Sequence, residues 1–93
     1  MQVFEKEAKV AQFFKERLRQ SRIAKGVSQK NVASEVGLST NSYQAYELGE
    51  KFPSFMTLPF LADYFDVSID YLLGRTDVPQ VVRSAQWQAN QEP

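Results

Sequence analysis

Gln29-Lys30-Asn31-Val32-Ala33-Ser34-Glu35-Val36-Gly37-Leu38-Ser39-Thr40-Asn41-Ser42-Tyr43-Gln44-Ala45-Tyr46 reads as two short amphipathic helices that meet at Gly37. Ala33 stands four residues before the glycine and Tyr43 six after it. A small side chain on the first helix lets the second approach closely. A glycine permits the tight turn between them, often with φ > 0. Val32, Ala33 and Val36 make the inner face of the first helix, and Tyr43 and Tyr46 that of the second. The second helix then presents Thr40, Asn41, Gln44 and Ala45 along one stripe. Short polar side chains at the start of a presented helix suit base edges in a DNA major groove. The same amides on a solvated surface would carry no function, so the stripe alone leaves both readings open.

Three further helices flank this pair. One spans about Val10 to Lys25, with Phe14 and Leu18 one turn apart, and residues 3–9 have a composition that can extend it. Ser28 caps the helix of Gln29 to Val36, and Ser39 caps that of Thr40 to Leu48. Ser54 opens a fourth, about Phe55 to Phe65, in which Leu58, Leu61, Ala62 and Phe65 keep the helical period. Pro59 falls in its second turn and removes one backbone bond there. Ser68 caps a fifth, about Ile69 to Leu73. No strand pattern competes, so the fold class is all-α with five helices and a helix-turn-helix formed by the second and third. Residues 10–75 form the body, residues 1–9 an N-terminal extension, and residues 76–93 a tail. In the tail Val78, Val82, Ala85 and Ala89 have helical spacing, and Trp87 is the only Trp. A frayed terminus and a short helix docked on this subunit or on a partner both fit that pattern.

Composition excludes several functions. The chain has 93 residues, which makes one domain, and a body of ~60 residues buries only about 60% of its unfolded surface. It has neither Cys nor His. Thiol catalysis, disulfides, Cys/His zinc sites and a Ser-His-Asp triad are therefore out of reach, and neither a metal nor a cofactor is expected. No catalytic constellation is present, so an enzyme is not expected. The N-terminal residues Met1 to Glu7 are charged and lack a signal peptide's apolar core. No apolar run approaches the ~18 residues of a membrane span, so a soluble cytoplasmic protein is expected. Net charge is zero, yet unevenly spread. Residues 10–30 set Lys15, Arg17, Arg19, Arg22, Lys25 and Lys30 against Glu16 alone, a local charge of +5. Residues 31–73 set Lys51 against Glu35, Glu47, Glu50, Asp63, Asp66 and Asp70, a local charge of −5. Two solvated faces of opposite sign would explain this. A basic face can equally supply phosphate contacts, with Arg19 and Lys30 as candidates.

A longer string carries a resemblance. Arg22 and Gln29 in the spacing Arg-x6-Gln, Ala33, Gly37, Tyr46-Glu47-x-Gly49, Pro53-Ser54, and Leu61-Ala62-Asp63-Tyr64-Phe65-Asp66-Val67-Ser68-Ile69-Asp70-Tyr71-Leu72-Leu73-Gly74 occur in order. The chain resembles, over about residues 15–75, the lambda-repressor-like helix-turn-helix family of the xenobiotic-response-element, or Cro, type. A bare helix-turn-helix pattern is weak; the whole string in order is specific. The resemblance implies a five-helix domain that binds operator DNA, usually as a dimer. By position, Thr40, Asn41, Gln44 and Ala45 would face bases. Gln29 and the start of the second helix would touch phosphate, as would Lys51 from the loop after the third. Arg22 and Glu47 match a pair that forms a salt bridge in many members. Four positions depart from the pattern. Ser21 stands where an apolar residue is usual, and Tyr43 replaces an Ile or Val. Leu48 replaces an Arg or Asn that can bond phosphate, and Glu50 puts an acid near the expected DNA backbone.

These readings lead to a sequence-specific transcriptional regulator that binds double-stranded DNA, acting as a repressor that occupies an operator as a homodimer. Ile69, Tyr71, Leu72 and Leu73 supply the expected dimer surface, extended by Val78, Val82 and Trp87. Control would come from concentration, a regulatory protein partner or proteolysis. The alternative is a protein-interaction or antitoxin-like module on a helix-turn-helix scaffold, which zero net charge, Leu48 and Glu50 favour.

Overall fold

The computed structural model describes residues 2–81. It contains α1 (Gln2–Lys25), α2 (Gln29–Val36), α3 (Thr40–Leu48), α4 (Thr57–Phe65) and α5 (Ile69–Leu72). The fold is all-α, as the periodicity implies. None of these helices is long and apolar enough to cross a membrane. Side chains from every helix meet in one core. Phe14 and Leu18 come from α1, Val32 and Ala33 from α2, Tyr43 and Tyr46 from α3, Leu61, Ala62 and Phe65 from α4, and Leu72 from α5. Val67 joins them from the α4–α5 turn. α2 packs chiefly on α3, α1 lies across α3, and α4 backs α2.

The α2–α3 turn forms for the reason given by its residues. Gly37 has φ 77°, and its N–H donates to the Ala33 carbonyl. The Leu38 N–H donates to the same carbonyl at 2.8 Å. Ala33 is buried, which lets α3 cross close to α2. Ser28 and Ser39 cap as their positions predict. Each has extended backbone, and each Oγ accepts an N–H three residues on, from Asn31 at 3.0 Å and from Ser42 at 3.1 Å.

Three boundaries differ from expectation. α1 starts at Gln2, so the stretch read as an extension belongs to the helix. Its described side chains from Glu5 to Val10 are all exposed. α4 starts at Thr57 rather than Phe55, because Phe55 and Met56 form a turn. The N-cap is Met56, which has no side-chain cap bond, so Ser54 does not cap the helix; its Oγ accepts the Thr57 N–H at 3.2 Å from the turn ahead of it. Pro59 therefore sits in the first turn, where its missing N–H costs no helical bond. α5 ends at Leu72, one residue early.

Arg17 ties the two ends of the body together. Its guanidinium lies 4.3 Å from the Tyr71 ring centroid and 5.0 Å from that of Phe13. It donates to the Tyr71 carbonyl at 2.8 Å, to the Thr76 carbonyl, and to the Asp77 carboxylate at 2.7 Å. The strap from Arg75 to Val81 thus runs back over α5, and the Ser68 N–H donates to the Pro79 carbonyl at 2.9 Å. Gly74 lets α1 close against this end. A Cβ there would overlap the Phe13 ring, and φ is 79°. Val82, Ala85, Trp87 and Ala89 lie outside the described residues.

Candidate nucleic-acid interface

α3 is seated by its aromatic side and its acid. Tyr43 is fully buried, and Tyr46 nearly so. The Glu47 side chain is 4% exposed and meets Arg22 of α1 in a two-pronged ion pair. Arg22 Nε donates to Oε2 at 2.6 Å and Nη2 to Oε1 at 3.1 Å. Gln29 Nε2 adds a third bond to Oε1 at 3.0 Å, and Arg22 Nη1 donates to the Val27 carbonyl at 3.2 Å. These bonds fix α3 against α1 and against the start of α2. Burial raises the Glu47 carboxyl, but Arg22 first, then the neighbouring Tyr43 hydroxyl and Gln29, outweigh it and hold the group below the usual carboxylate range. The bond to Glu47 likewise raises the Arg22 guanidinium, against the opposing effect of burial. Burial first, and the neighbouring Glu47 second, push the Tyr43 phenol well above its ordinary value. Its hydroxyl is buried with no hydrogen-bond partner among the described residues.

With that side of α3 occupied, the opposite side is free. Asn41 and Gln44 are exposed and Thr40 is half-buried at the helix start. Ala45 is 9% exposed and packs against the body, so the expectation that it faces bases is corrected. Its period is right, but its short side chain does not reach past its neighbours. Leu48, 63% exposed, follows Gln44 by one turn and completes the outward stripe instead.

The expected phosphate contacts divide into two groups. Arg19 and Gln29 line one groove of about 750 Å³ between α1, α2 and α3, together with Lys15, Ser28, Ile23 and Leu48. Arg22 and Glu47 also line it. Lys30 and Lys51 are exposed outside it. Gln29 is committed to Glu47, so its side chain points inward along α3 and only its backbone remains at the helix start. The basic stretch also shrinks as a DNA-facing charge. Arg17 is spent on the strap and Arg22 on Glu47, while the Lys25 ammonium lies 4.6 Å over the Tyr64 ring. Arg17 was not singled out by sequence reasoning. Its partners lie more than fifty residues away, and no local spacing announces them.

The expected dimer surface is also revised. Leu72 is 0% exposed and belongs to the core, so it cannot meet a partner. A five-residue amphipathic stretch places one side chain inward, and here it is Leu72. Ile69, Tyr71 and Leu73 are half-buried, and Val78 is exposed.

A family model described as a helix-turn-helix domain matches residues 15–78. The uncharacterized HTH-type transcriptional regulator YobD of Bacillus subtilis (strain 168) is 42% identical over 64 residues, 69% of this chain and 57% of its own length. The cryptic phage CTXphi transcriptional repressor RstR of Vibrio cholerae serotype O1 is 44% identical over 61 residues, 66% of this chain and 54% of its own. The regulator AnsR of Bacillus subtilis (strain 168) is 37% identical over 76 residues, 77% of this chain and 66% of its own. The chain thus spans a little over half the length of the first two. No solved structure matches. With its capped α2–α3 pair, its five-helix core and this match across most of its length, the chain belongs to the XRE-type family of helix-turn-helix transcriptional regulators, similar to Cro and the lambda-repressor-like proteins.

Proposed function

We propose that this protein binds operator DNA sequence-specifically, with α3 as the reading helix, and represses by occupying a promoter. The observation that carries the reading is the α3 stripe. Asn41 and Gln44 project outward with Thr40 beside them, on a helix held from behind by Tyr43, Tyr46 and Glu47. Asn and Gln can each pair bidentately with adenine, and each such pair discriminates by about 1–3 kcal/mol. Arg19, Lys30 and Lys51 supply phosphate contacts around it. RstR carries the name of a repressor, which supports repression as the mode.

Binding measured on a selected operator and on random duplex tests this. Asn41→Ala and Gln44→Ala should weaken operator binding by the stated amount and leave random binding nearly unchanged. Equal losses on both would show that these residues do not read bases.

The second reading is a protein-interaction module. Leu48 and Glu50, both exposed at the end of α3 where DNA backbone is expected, favour it. A salt titration on random duplex separates the two. A DNA binder loses affinity steeply as salt rises, and an adaptor shows little affinity at any salt.

A further inference from the structure

We propose that Leu48 reads the C5 methyl of an operator thymine and that Lys15 holds the phosphate beside that base. This rests on α3 being the reading helix, and it names what the last turn of that helix meets. Leu48 is 63% exposed at the end of α3, and Ile23 of α1, 56% exposed, lines the same groove of about 750 Å³. A lone exposed leucine needs no explanation. This one stands seven residues after Asn41 and four after Gln44, and both amides are exposed. Seven residues come close to two full turns, so Leu48 points within about 20° of Asn41. A DNA groove that Asn41 and Gln44 enter is therefore faced by Leu48 as well.

Asn and Gln offer hydrogen bonds to a base edge, and leucine offers none. Its match in the major groove is the one apolar group displayed there, the thymine methyl. That methyl projects on the side of its own strand's phosphates. The first turn of a reading helix meets base edges. The last residue of a nine-residue helix lies about 12 Å further on, and the groove is itself about 12 Å wide. Leu48 therefore comes to the groove wall, where a methyl and a phosphate stand side by side. A cation is in place at that end. Lys15 of α1 lays its stem over the end of α3: a Cβ on Gly49 would stand 3.0 Å from its Cδ and 3.9 Å from its Nζ. It forms no ion pair among the described residues and lines the groove with Leu48. Glu16, an acid on the same groove, accepts instead from Gln12 one turn back. Glu50 follows Gly49 in the chain, so the ammonium also offsets the acid at this end of α3. Leu48 stands about 6 Å beyond Gln44 along the helix. At about 3.4 Å per base step, its thymine falls within about two base pairs of the base that Gln44 meets.

The test is a set of duplexes carrying an operator selected from a random pool by the full chain, each with one thymine replaced by deoxyuridine. The replacement keeps the base pair and removes only the methyl. At one thymine per half-site, affinity should fall about fourfold, the effect of burying one methyl-sized group. Leu48→Ala should bind the parent operator several-fold more weakly and bind the parent and that deoxyuridine duplex equally. Leu48→Met, which keeps an apolar side chain of similar reach, should retain the methyl sensitivity. Leu48 is exposed, so its replacement leaves the core whole, and an unchanged far-ultraviolet circular dichroism spectrum verifies the fold. Lys15→Met keeps the stem and removes the charge. It should lower the slope of log affinity against log salt by about one on operator and random duplex alike. Methyl sensitivity that survives Leu48→Ala in a folded protein would overturn the proposal. So would deoxyuridine duplexes that all bind as well as the parent, which would assign Leu48 to a protein partner. An unchanged salt slope in Lys15→Met would overturn the phosphate contact. The binding proposal has its own readout on the same duplexes. Operator binding that depends on Asn41 and Gln44 but on no thymine methyl sinks this inference alone. A chain that prefers no duplex over random DNA sinks both.

Discussion

The Tyr43 hydroxyl is buried with no hydrogen-bond partner among the described residues, so taking it away should relieve the fold. Tyr43→Phe keeps the ring in the core and removes a desolvated polar group. The expected change is from neutral to a gain of about 1–3 kcal/mol in urea unfolding. A clear loss would mean that the hydroxyl bonds Glu47 in solution. Glu47 itself sets a pH dependence. Its carboxyl is held below the usual carboxylate range in the folded chain. The unfolded chain therefore takes up that proton more readily. The stabilisation is complete above the unfolded value and is lost as pH falls through the lower folded one. Glu47→Gln should flatten the acid side of the stability profile, and a slope that persists would assign it to other carboxylates. Arg22→Ala leaves a buried carboxylate unpaired and should cost about 3–5 kcal/mol, which a double-mutant cycle with Glu47→Gln would resolve. The pair of Arg22 and Glu47 came with the family's pattern. The turn of Gln29 toward Glu47 did not, because a residue at a helix start can bond outward or inward with the same sequence spacing.

Among the helices, α4 offers the clearest gain. It ends at Asp66, whose φ is 55°, the one non-glycine residue with left-handed backbone among those described. That conformation suits glycine at a helix end. Asp66→Gly should raise stability by about 0.5–1 kcal/mol, the relief of backbone strain being partly offset by the entropy glycine loses on folding. Thermal unfolding checks it, and an unchanged or lower midpoint would show that Asp66 sits there without strain. The five helices were legible because apolar period, serine caps and glycine ends agree with one another. The start of α4 was not. Phe55 continues the apolar pattern, but the two residues after Ser54 are spent on a turn. The start of α1 was open for a different reason: residues 3–9 favour helix by composition, and the side chains described from Glu5 to Val10 are exposed and mark no edge.

For the whole molecule, the proposed unit on DNA is a pair. A single reading helix covers only a few base pairs, and a genome offers too many competing sites for that. Ile69, Tyr71 and Leu73, with Val78 beside them, remain available for two-fold contact once Leu72 is assigned to the core. Half-site centres should then lie about 34 Å apart on a near-palindrome. Footprinting with sedimentation on the same duplex checks this, and one protected half-site with one chain bound would contradict it. The balanced charge was the least legible feature. Counting cations by sequence overstates what DNA would meet, since Arg17 and Arg22 are spent inside the fold. The strap held by Arg17 also bears on how the chain reaches its shape. It joins residue 17 to residues 71–77, so nearly the whole body lies within one closed loop. α2 and α3 can form from neighbouring residues and quickly, but α1 finds its last partners only when the strap arrives. During synthesis, α2 and α3 emerge before the strap that completes the partners of α1, and the loop closes only once residues 71–77 are available.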